Sequence, residues 1–483
     1  MNIETPTLKQ PPVFKLAYLT TIFERFGFYI LSFLLVLFAR NQYGFSDAQA
    51  VILVGVFTAL AFLTPALGGY LGDNVFGIRR SMIAGLLLEG TGLILLAIPN
   101  PKIFFLALAL IAIGVGFFKT APTDLLAHSY KENDPRIDPG FTLYYMAINI
   151  GSLIASVIAG SLQEKFGWQV AFLTGGIGIY LGLLFYCLFK KTAAELDTKM
   201  GVKKLSPKKI MLGLLGIILC CGFFIFLLAH ANLANIFFGI ATTLTFGYFL
   251  YEIIKSPHHE KLKIIACLYL VLIGLACATL YFQLFTSVEL FIERCVIRNN
   301  FGPTIPTTVY LGLNPMFVIL LGPILAWGYT TLNKRGRDLS VVAKLTWGLL
   351  ATALCFFCLV IGGKYFATAA GQISAWWVVA MFFLFTIGDL MNSALGVAMV
   401  THIAPRRLYG VMMGTWFLVG NSLAASLSGI FASTAAIPEG MTDPHAILHI
   451  YNTAFLKLGI AGVIISVLIF MINPYIKKIA NLK

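Results

Sequence analysis

The sequence predicts an all-α integral membrane protein of fourteen transmembrane helices, arranged as six, two and six. Three observations carry this: the composition, the recurrence of long apolar stretches, and the alternation of basic loops. Of 483 residues, 59% are hydrophobic and 11% charged, where a soluble domain carries about 25% charged residues. Apolar stretches of about 20 residues cross a bilayer. They fall near 15–40, 50–72, 80–98, 103–126, 143–163 and 169–190, then 209–228 and 233–254, then 263–292, 309–332, 341–362, 374–403, 409–433 and 451–475. The stretch 233–254, interrupted by Thr242, Thr243 and Thr245, is the weakest of these. Residues 1–14 are polar and the first apolar run is long enough to span, so a cleaved leader is not expected.

The net charge of +14 is distributed by loop. Lys9, Lys15, Arg79, Arg80, Lys131, Arg136, the 190–209 cluster, Lys255, Lys261, Lys263, Lys334, Arg335, Arg337, Lys344, Arg406, Arg407, Lys477, Lys478 and Lys483 fall on one side. Little beyond Arg40, Lys102, Lys165, Arg294, Arg298 and Lys364 falls on the other. Basic loops stay in the cytoplasm, so both termini are expected there. The basic excess is thus a topology signal, and no nucleic-acid partner is expected. All eight cysteines lie in or beside apolar spans, and Cys355 and Cys358 sit mid-helix without a second ligand pair. They read as buried thiols, with no metal or cofactor implied.

The clearest break is Lys190–Lys209, polar, basic and helix-interrupting. It leads to a division into an N-terminal six-helix bundle (1–190), a basic linker with an inserted hairpin (191–262) and a C-terminal six-helix bundle (263–483). Weak internal symmetry accompanies it. Gly68-Gly69 through Asp73, Arg79 and Arg80 follows the second span, and Gly322-Pro323 through Lys334, Arg335, Gly336 and Arg337 follows its counterpart in the second half. Paired six-helix halves with substrate at the midplane are the architecture of major facilitator transporters. Asp73, Arg79 and Arg80 are the expected gating residues, bridging cytoplasmic helix ends; a plain tight loop would leave the same pattern.

Charged residues inside spans are expensive and mark pathways for ions or substrate. Glu24 and Arg25 sit side by side in the first span, and Glu89, Lys119, Asp124, Glu289 and Asp389 complete the set. A structural ion pair is the alternative for Glu24–Arg25, local pairing for Glu89 and Asp124, and simple solvation for Glu289 and Glu293. Arg25 and Lys119 in one half, facing Asp389 and Glu289 in the other, would make an electrostatic latch released by protonation or by a charged ligand.

Residues 117–152, with Gly167-Trp168 downstream, resemble the proton-dependent oligopeptide transporter family. Glu24-Arg25-Phe26, Leu313-Asn314-Pro315, Gly388-Asp389 through Ala394-Leu395-Gly396, and Gly414-Thr415-Trp416-Phe417 join them. The resemblance runs from about residue 12 to 475 and includes a two-helix insertion; it is closest to bacterial di- and tripeptide permeases. It implies proton-coupled uptake by alternating access in the bacterial inner membrane, by a monomer whose partners are the lipid bilayer, protons and a small-molecule substrate. Arg25 and Lys119 resemble the cations that receive a peptide carboxylate, and Asn149 and Asn314 the amides that bond the peptide. Asp389 stands where the family has a glutamate for the amino terminus, and Tyr29 and Trp416 resemble pocket aromatics. Proton coupling is assigned on the same basis to Glu24, Lys119, Asp389 and Glu289.

The departures are clustered. Thr21 stands where the family has a glutamate one turn before Glu24, Phe282 where it has an acid on the seventh span, Ala121 where it has an asparagine, and Phe28 and Phe62 where it has tyrosines. Loss of two acids beside Arg25 and Lys119 predicts a more electropositive site. Glu289, seven residues beyond Phe282, would share its helical face two turns away (about 10 Å) and partly replace the missing acid. Three functions follow: peptide uptake, transport of a non-peptide anionic metabolite in either direction with altered coupling, or a non-transporting ligand sensor. The one sequence feature suited to an intramembrane enzyme, His258-His259-Glu260, lies in a Lys-rich connector; no catalytic role is expected.

Overall fold

The computed structural model describes residues 9–131, 134–198, 201, 206–299, 302–335, 340–393 and 403–480. Gly336 and Arg337 of the second basic turn, and Ala394-Leu395-Gly396, lie outside the described residues. The first half consists of α1 (Val13–Tyr43), α2 (Asp47–Leu71), α3 (Ile78–Leu96), α4 (Pro101–Lys119), α5 (Ala121–His128), α6 (Ile137–Phe166) and α7 (Trp168–Phe189). The inserted hairpin is α8 (Pro207–Ala229) and α9 (Ala231–Lys255). Then come α10 (His258–Tyr281), α11 (Ser287–Cys295), α12 (Thr307–Leu311), α13 (Leu313–Lys334), α14 (Val341–Tyr365), α15 (Ala375–Ser393), α16 (Tyr409–Thr415), α17 (Ala424–Ser433) and α18 (Pro444–Ala480).

Thirteen of the continuous helical stretches among the described residues are long and apolar enough to cross a membrane. The fourteenth expected span is α3, a 19-residue helix made more polar by Arg79, Arg80 and Glu89. The weak stretch around 233–254 is helical throughout. Two of its three hydroxyls are answered within the helix, Thr243 donating to the Gly239 carbonyl at 2.9 Å and Thr245 to Ala241 at 2.8 Å, while Thr242 Oγ1 is buried without a partner among the described residues. Only 17% of the apolar window of α8 and of α9 is buried by protein, against 72% for α1. The hairpin thus presents its sides to lipid.

Contacts group the chain into two compact units. One is Met1–Leu31, Thr64–Ala155 and Phe166–Phe223; the other is Ser32–Leu63, Ser156–Lys165 and Phe224–Lys483. The first unit is built on close helix approach at small residues, the packing that serves where lipid offers no hydrophobic drive. A Cβ added to Gly68 of α2 would lie 1.9 Å from the Gly116 carbonyl of α4, and one on Gly151 of α6 would lie 2.5 Å from the Ile22 carbonyl of α1. Asp197, from the linker, accepts a hydrogen bond from the backbone N–H of Ile78 at 2.9 Å and so caps α3 from a distance. The second unit crosses α2 over α17 in the same manner, a Cβ on Gly55 falling 2.8 Å from the Ala425 carbonyl. A short parallel bridge pairs Val296 with Ile373 and Ile297 with Ser374.

Three spans are broken at or near residues that the sequence singles out. The fourth, α4, ends at Lys119 and resumes as α5 after Thr120, with Pro122 in the first turn. The seventh is interrupted between α10 and α11 by a 3₁₀ turn, Phe282–Phe285. The eleventh passes from α16 into a π-helical segment, Trp416–Leu423, before α17; such turns recur at functional sites.

Candidate functional site

Glu24 and Arg25 stand in the middle of α1, 0% and 7% exposed. Sequence neighbours on a helix point about 100° apart, yet Arg25 turns back on Glu24 in a two-pronged pair. Its Nε donates to Glu24 Oε2 at 2.5 Å and its Nη2 to Oε1. The guanidinium also lies 4.8 Å from the ring centroid of Phe28, an attraction worth about 0.5–2 kcal/mol. Phe28 thus holds the cation by its face.

Two further charges join this pair. Glu89 of α3, 0% exposed, lies against Glu24 and within electrostatic reach of Arg25. Lys119, at the break between α4 and α5, acts on both Arg25 and Glu24. Tyr29 also faces Arg25. The cluster therefore holds two acids and two bases, Glu89 offsetting one of the two acids lost at Thr21 and Phe282. The compensating acid comes from α3, a helix whose approach the sequence does not disclose. Thr21, in place of the family's first glutamate, donates to the Tyr144 hydroxyl of α6 at 3.3 Å. Asn149, on the same helix, is 7% exposed and donates to its own Tyr145 carbonyl at 3.0 Å.

The remaining predicted residues lie in the second unit. Asn314, near the start of α13, donates from Nδ2 to Thr386 Oγ1 at 3.3 Å and to Asp389 Oδ2 at 3.4 Å. Asp389, half-buried on α15, is so positioned because Gly388 packs on α14, where a Cβ would fall 2.2 Å from Thr352 Oγ1. Trp416, opening the π-helical segment, seats its ring on Gly274 of α10, 2.8 Å from where a Cβ would stand. Phe62 and Phe282 meet edge to face with centroids 5.2 Å apart. A lost hydroxyl and a lost acid have become one apolar contact.

Glu289 is not solvated. It is 0% exposed, and neither carboxyl oxygen has a hydrogen-bond partner among the described residues. The broken helix at 282–286 also removes the straight-helix register that would have placed it two turns above Phe282. Its neighbours are instead Glu293 and Arg40. They belong to a network that sequence reasoning missed. Arg40 of α1 donates to Glu293 at 2.9 Å, and Arg294 donates to both oxygens of Asp47 on α2, at 2.5 and 2.8 Å. Arg294 also donates to the Tyr451 hydroxyl of α18 at 3.2 Å, and the Ile437 N–H to Asp47 at 3.2 Å. These residues lie at the loop-poor-in-lysine side, and their only sequence signal was the rarity of charge there. On the basic side, Arg79 donates to the Tyr186 hydroxyl at 3.4 Å and Arg80 to the Phe76 carbonyl at 3.2 Å, while Asp73 is exposed. Glu252 at the end of α9 and Glu260 of α10 both accept from Arg407, Glu260 at 3.0 Å.

A buried cluster of balanced charges, helices broken at the charged or aromatic residues, and ion pairs joining helix ends suit a carrier that moves its ligand through the membrane. Residues 79–446 match the POT family. The chain belongs to the POT family. Over 485 residues it is 34% identical to dipeptide and tripeptide permease B of Yersinia enterocolitica, covering 100% of this chain and 98% of that protein. The permease of the same name from Salmonella typhimurium is 33% identical over 485 residues, with 100% and 99% covered. Among solved structures, tetrameric PepTSo2 superposes with a TM-score of 0.87 at 28% identity, over 97% of this chain and 99% of that one. A bacterial homologue of the human drug peptide transporters PepT1 and PepT2 follows at 0.86 and 28%, with the same coverage. This POT-family chain is thus an all-helical, multi-pass membrane transporter of the major facilitator fold.

Proposed function

We propose that this chain imports di- and tripeptides together with protons by alternating access. The observation that carries the reading is the buried Glu24–Arg25–Glu89–Lys119 cluster, found in a family whose relatives are named dipeptide and tripeptide permeases. Arg25 and Lys119 receive the peptide carboxylate, Asp389 the terminal ammonium, and Asn149 and Asn314 the peptide bond. Tyr29 and Trp416 line the path. The two-pronged Arg25–Glu24 pair must open before Arg25 can reach a ligand, so binding and pair-breaking are one event. Glu289, buried without a donor among the described residues, takes part in closing and opening the Arg40–Glu293 and Asp47–Arg294 network.

Both termini lie in the cytoplasm of a bacterial cell whose inner membrane holds the protein. The transporting unit is the monomer, and the substrate leaves chemically unchanged. The paired Phe62 and Phe282 favour a second reading, a ligand with fewer hydrogen-bonding groups than a peptide, such as a carboxylate-rich metabolite. Uptake of dialanine, N-acetyl-dialanine and small polycarboxylates into proteoliposomes under an inwardly directed proton gradient separates these. Accumulation of dialanine alone supports the proposal. Accumulation of a polycarboxylate without dialanine overturns it, and binding without counterflow assigns a sensor.

A further inference from the structure

Glu89 stands near the middle of α3, wholly buried, and neither carboxyl oxygen has a hydrogen-bond donor among the described residues. A carboxylate held in this way costs several kcal/mol if ionised. The groups that act on it are Glu24 and Arg25 of α1. Arg25 is already committed to both oxygens of Glu24. Two ionised carboxylates can only accept, so the contact of Glu89 with Glu24 becomes a hydrogen bond only when one of them carries a proton.

Among the described residues, the other elements packed on α3 give neither Glu89 oxygen a hydrogen bond. Opposite Glu89, α4 presents Gly114, where a Cβ would lie 2.5 Å from Glu89 Cγ. The α7 side presents Tyr180, packed on Gly90, and its hydroxyl is 2.8 Å from Thr91 Oγ1. Asp124 of α5 is acted on by Asp73 of the turn before α3, and Lys119 acts on Arg25 and Glu24. Glu89 thus fills the space beside Gly114 and faces Glu24, with the committed Arg25 within electrostatic reach.

We propose that Glu24 and Glu89 form a carboxyl pair that holds one proton between them, and that this proton travels with the substrate. The proposal rests on the transport reading above. When a substrate carboxylate draws Arg25 away from Glu24, the pair would carry two negative charges while both bases of the cluster, Arg25 and Lys119, turn to the substrate. One proton from water on the entry side then bonds to a Glu89 oxygen and hydrogen-bonds to Glu24. On the exit side Arg25 returns to Glu24, the substrate is released, and the same proton leaves Glu89 for water. Only that O–H bond forms and breaks. Thr21, bonded to Tyr144, has no acidic proton to carry, and α3 supplies the second acid in its place.

The test uses the full-length protein in proteoliposomes, as wild type, Glu89→Gln, Glu89→Asp and Glu24→Gln. Infrared difference spectra between acidic and alkaline pH, recorded without substrate, should show the carbonyl stretch of a neutral carboxylic acid that is lost in both Gln variants. Gradient-driven dialanine accumulation should be lost in Glu89→Gln while dialanine counterflow persists, and Glu89→Asp should regain part of it. Wild-type accumulation by Glu89→Gln, or an infrared band untouched by it, overturns the carboxyl pair. A wild type that neither accumulates nor exchanges dialanine overturns the transport reading instead, and the infrared band still decides the pair.

Discussion

Replacing Asp47 with asparagine should loosen the Arg40, Asp47, Glu293 and Arg294 network, which in the proposed alternating-access cycle closes and opens. Asp47 is 5% exposed by side chain and receives both prongs of Arg294, which is 23% exposed. A hydrogen bond to a charged group contributes about 1.5–3 kcal/mol. Asparagine keeps one acceptor but turns an amide N–H₂ toward the guanidinium, so one such bond is lost and the charge attraction with it. The partial exposure of Arg294 reduces the total, and about 3 kcal/mol is a fair value for a half-buried pair broken from one side. Since each 1.4 kcal/mol is tenfold, that corresponds to a shift of roughly 100-fold toward the open form. Cys295 reports on it directly, being 1% exposed and next in sequence to Arg294. With the other cysteines replaced, its labelling by a membrane-impermeant thiol reagent should accelerate by about that factor if opening limits access. Exchanging the charges, Asp47→Arg with Arg294→Asp, should restore slow labelling. An unchanged rate in a stably folded Asp47→Asn protein would refute the reasoning, because it would show that the pair does not govern opening.

Lys119→Ala should abolish concentrative uptake while leaving exchange, because it removes a base acting on the Glu24–Arg25 pair; unchanged accumulation would take Lys119 out of the coupling scheme. Phe282→Glu, which restores the family's acid, should lower thermal stability. It loses an aromatic pair worth about 0.5–1.5 kcal/mol and buries a carboxylate against Phe62; adding Phe62→Tyr should recover part of the loss in a melting assay. Outside the membrane spans, the hydrogen bonds of Arg136 hold the Asp134 carboxyl at about 2, below the usual carboxylate range. A depressed folded value means stability present above the unfolded value of about 4 and lost only as pH falls through about 2. The Asp134–Arg136 contact is therefore intact at every pH used for proton-driven uptake, and Asp134→Asn should leave the pH profile of transport as it is in wild type.

What was legible in the sequence was what hydropathy and charge determine locally. A run of about twenty apolar residues is a span whatever surrounds it, and the loop charges orient the series. Arg25, Lys119, Asn314, Asp389 and Trp416 could be singled out because a charge, an amide or a large aromatic in such a run needs a reason. Even the breaks at Lys119 and Trp416 fall at residues already named, although the breaks themselves depend on packing.

What only the tertiary structure decided was which of these charges meet. Glu89 read as an acid with a local partner, and it meets Glu24 of α1 from a position where Gly114 of α4 leaves room for its side chain. Phe62 and Phe282 read as separate losses and are one contact. Asp47 and Arg294 belong to helices far apart in sequence, and no periodicity links them. The sequence by itself determined how many helices cross the membrane and which buried residues are costly, since both follow from transfer of each segment out of water. The pairing that offsets those costs was decided by the tertiary structure, because it depends on the crossing of distant helices at glycines whose effect is felt only once the helices are in contact.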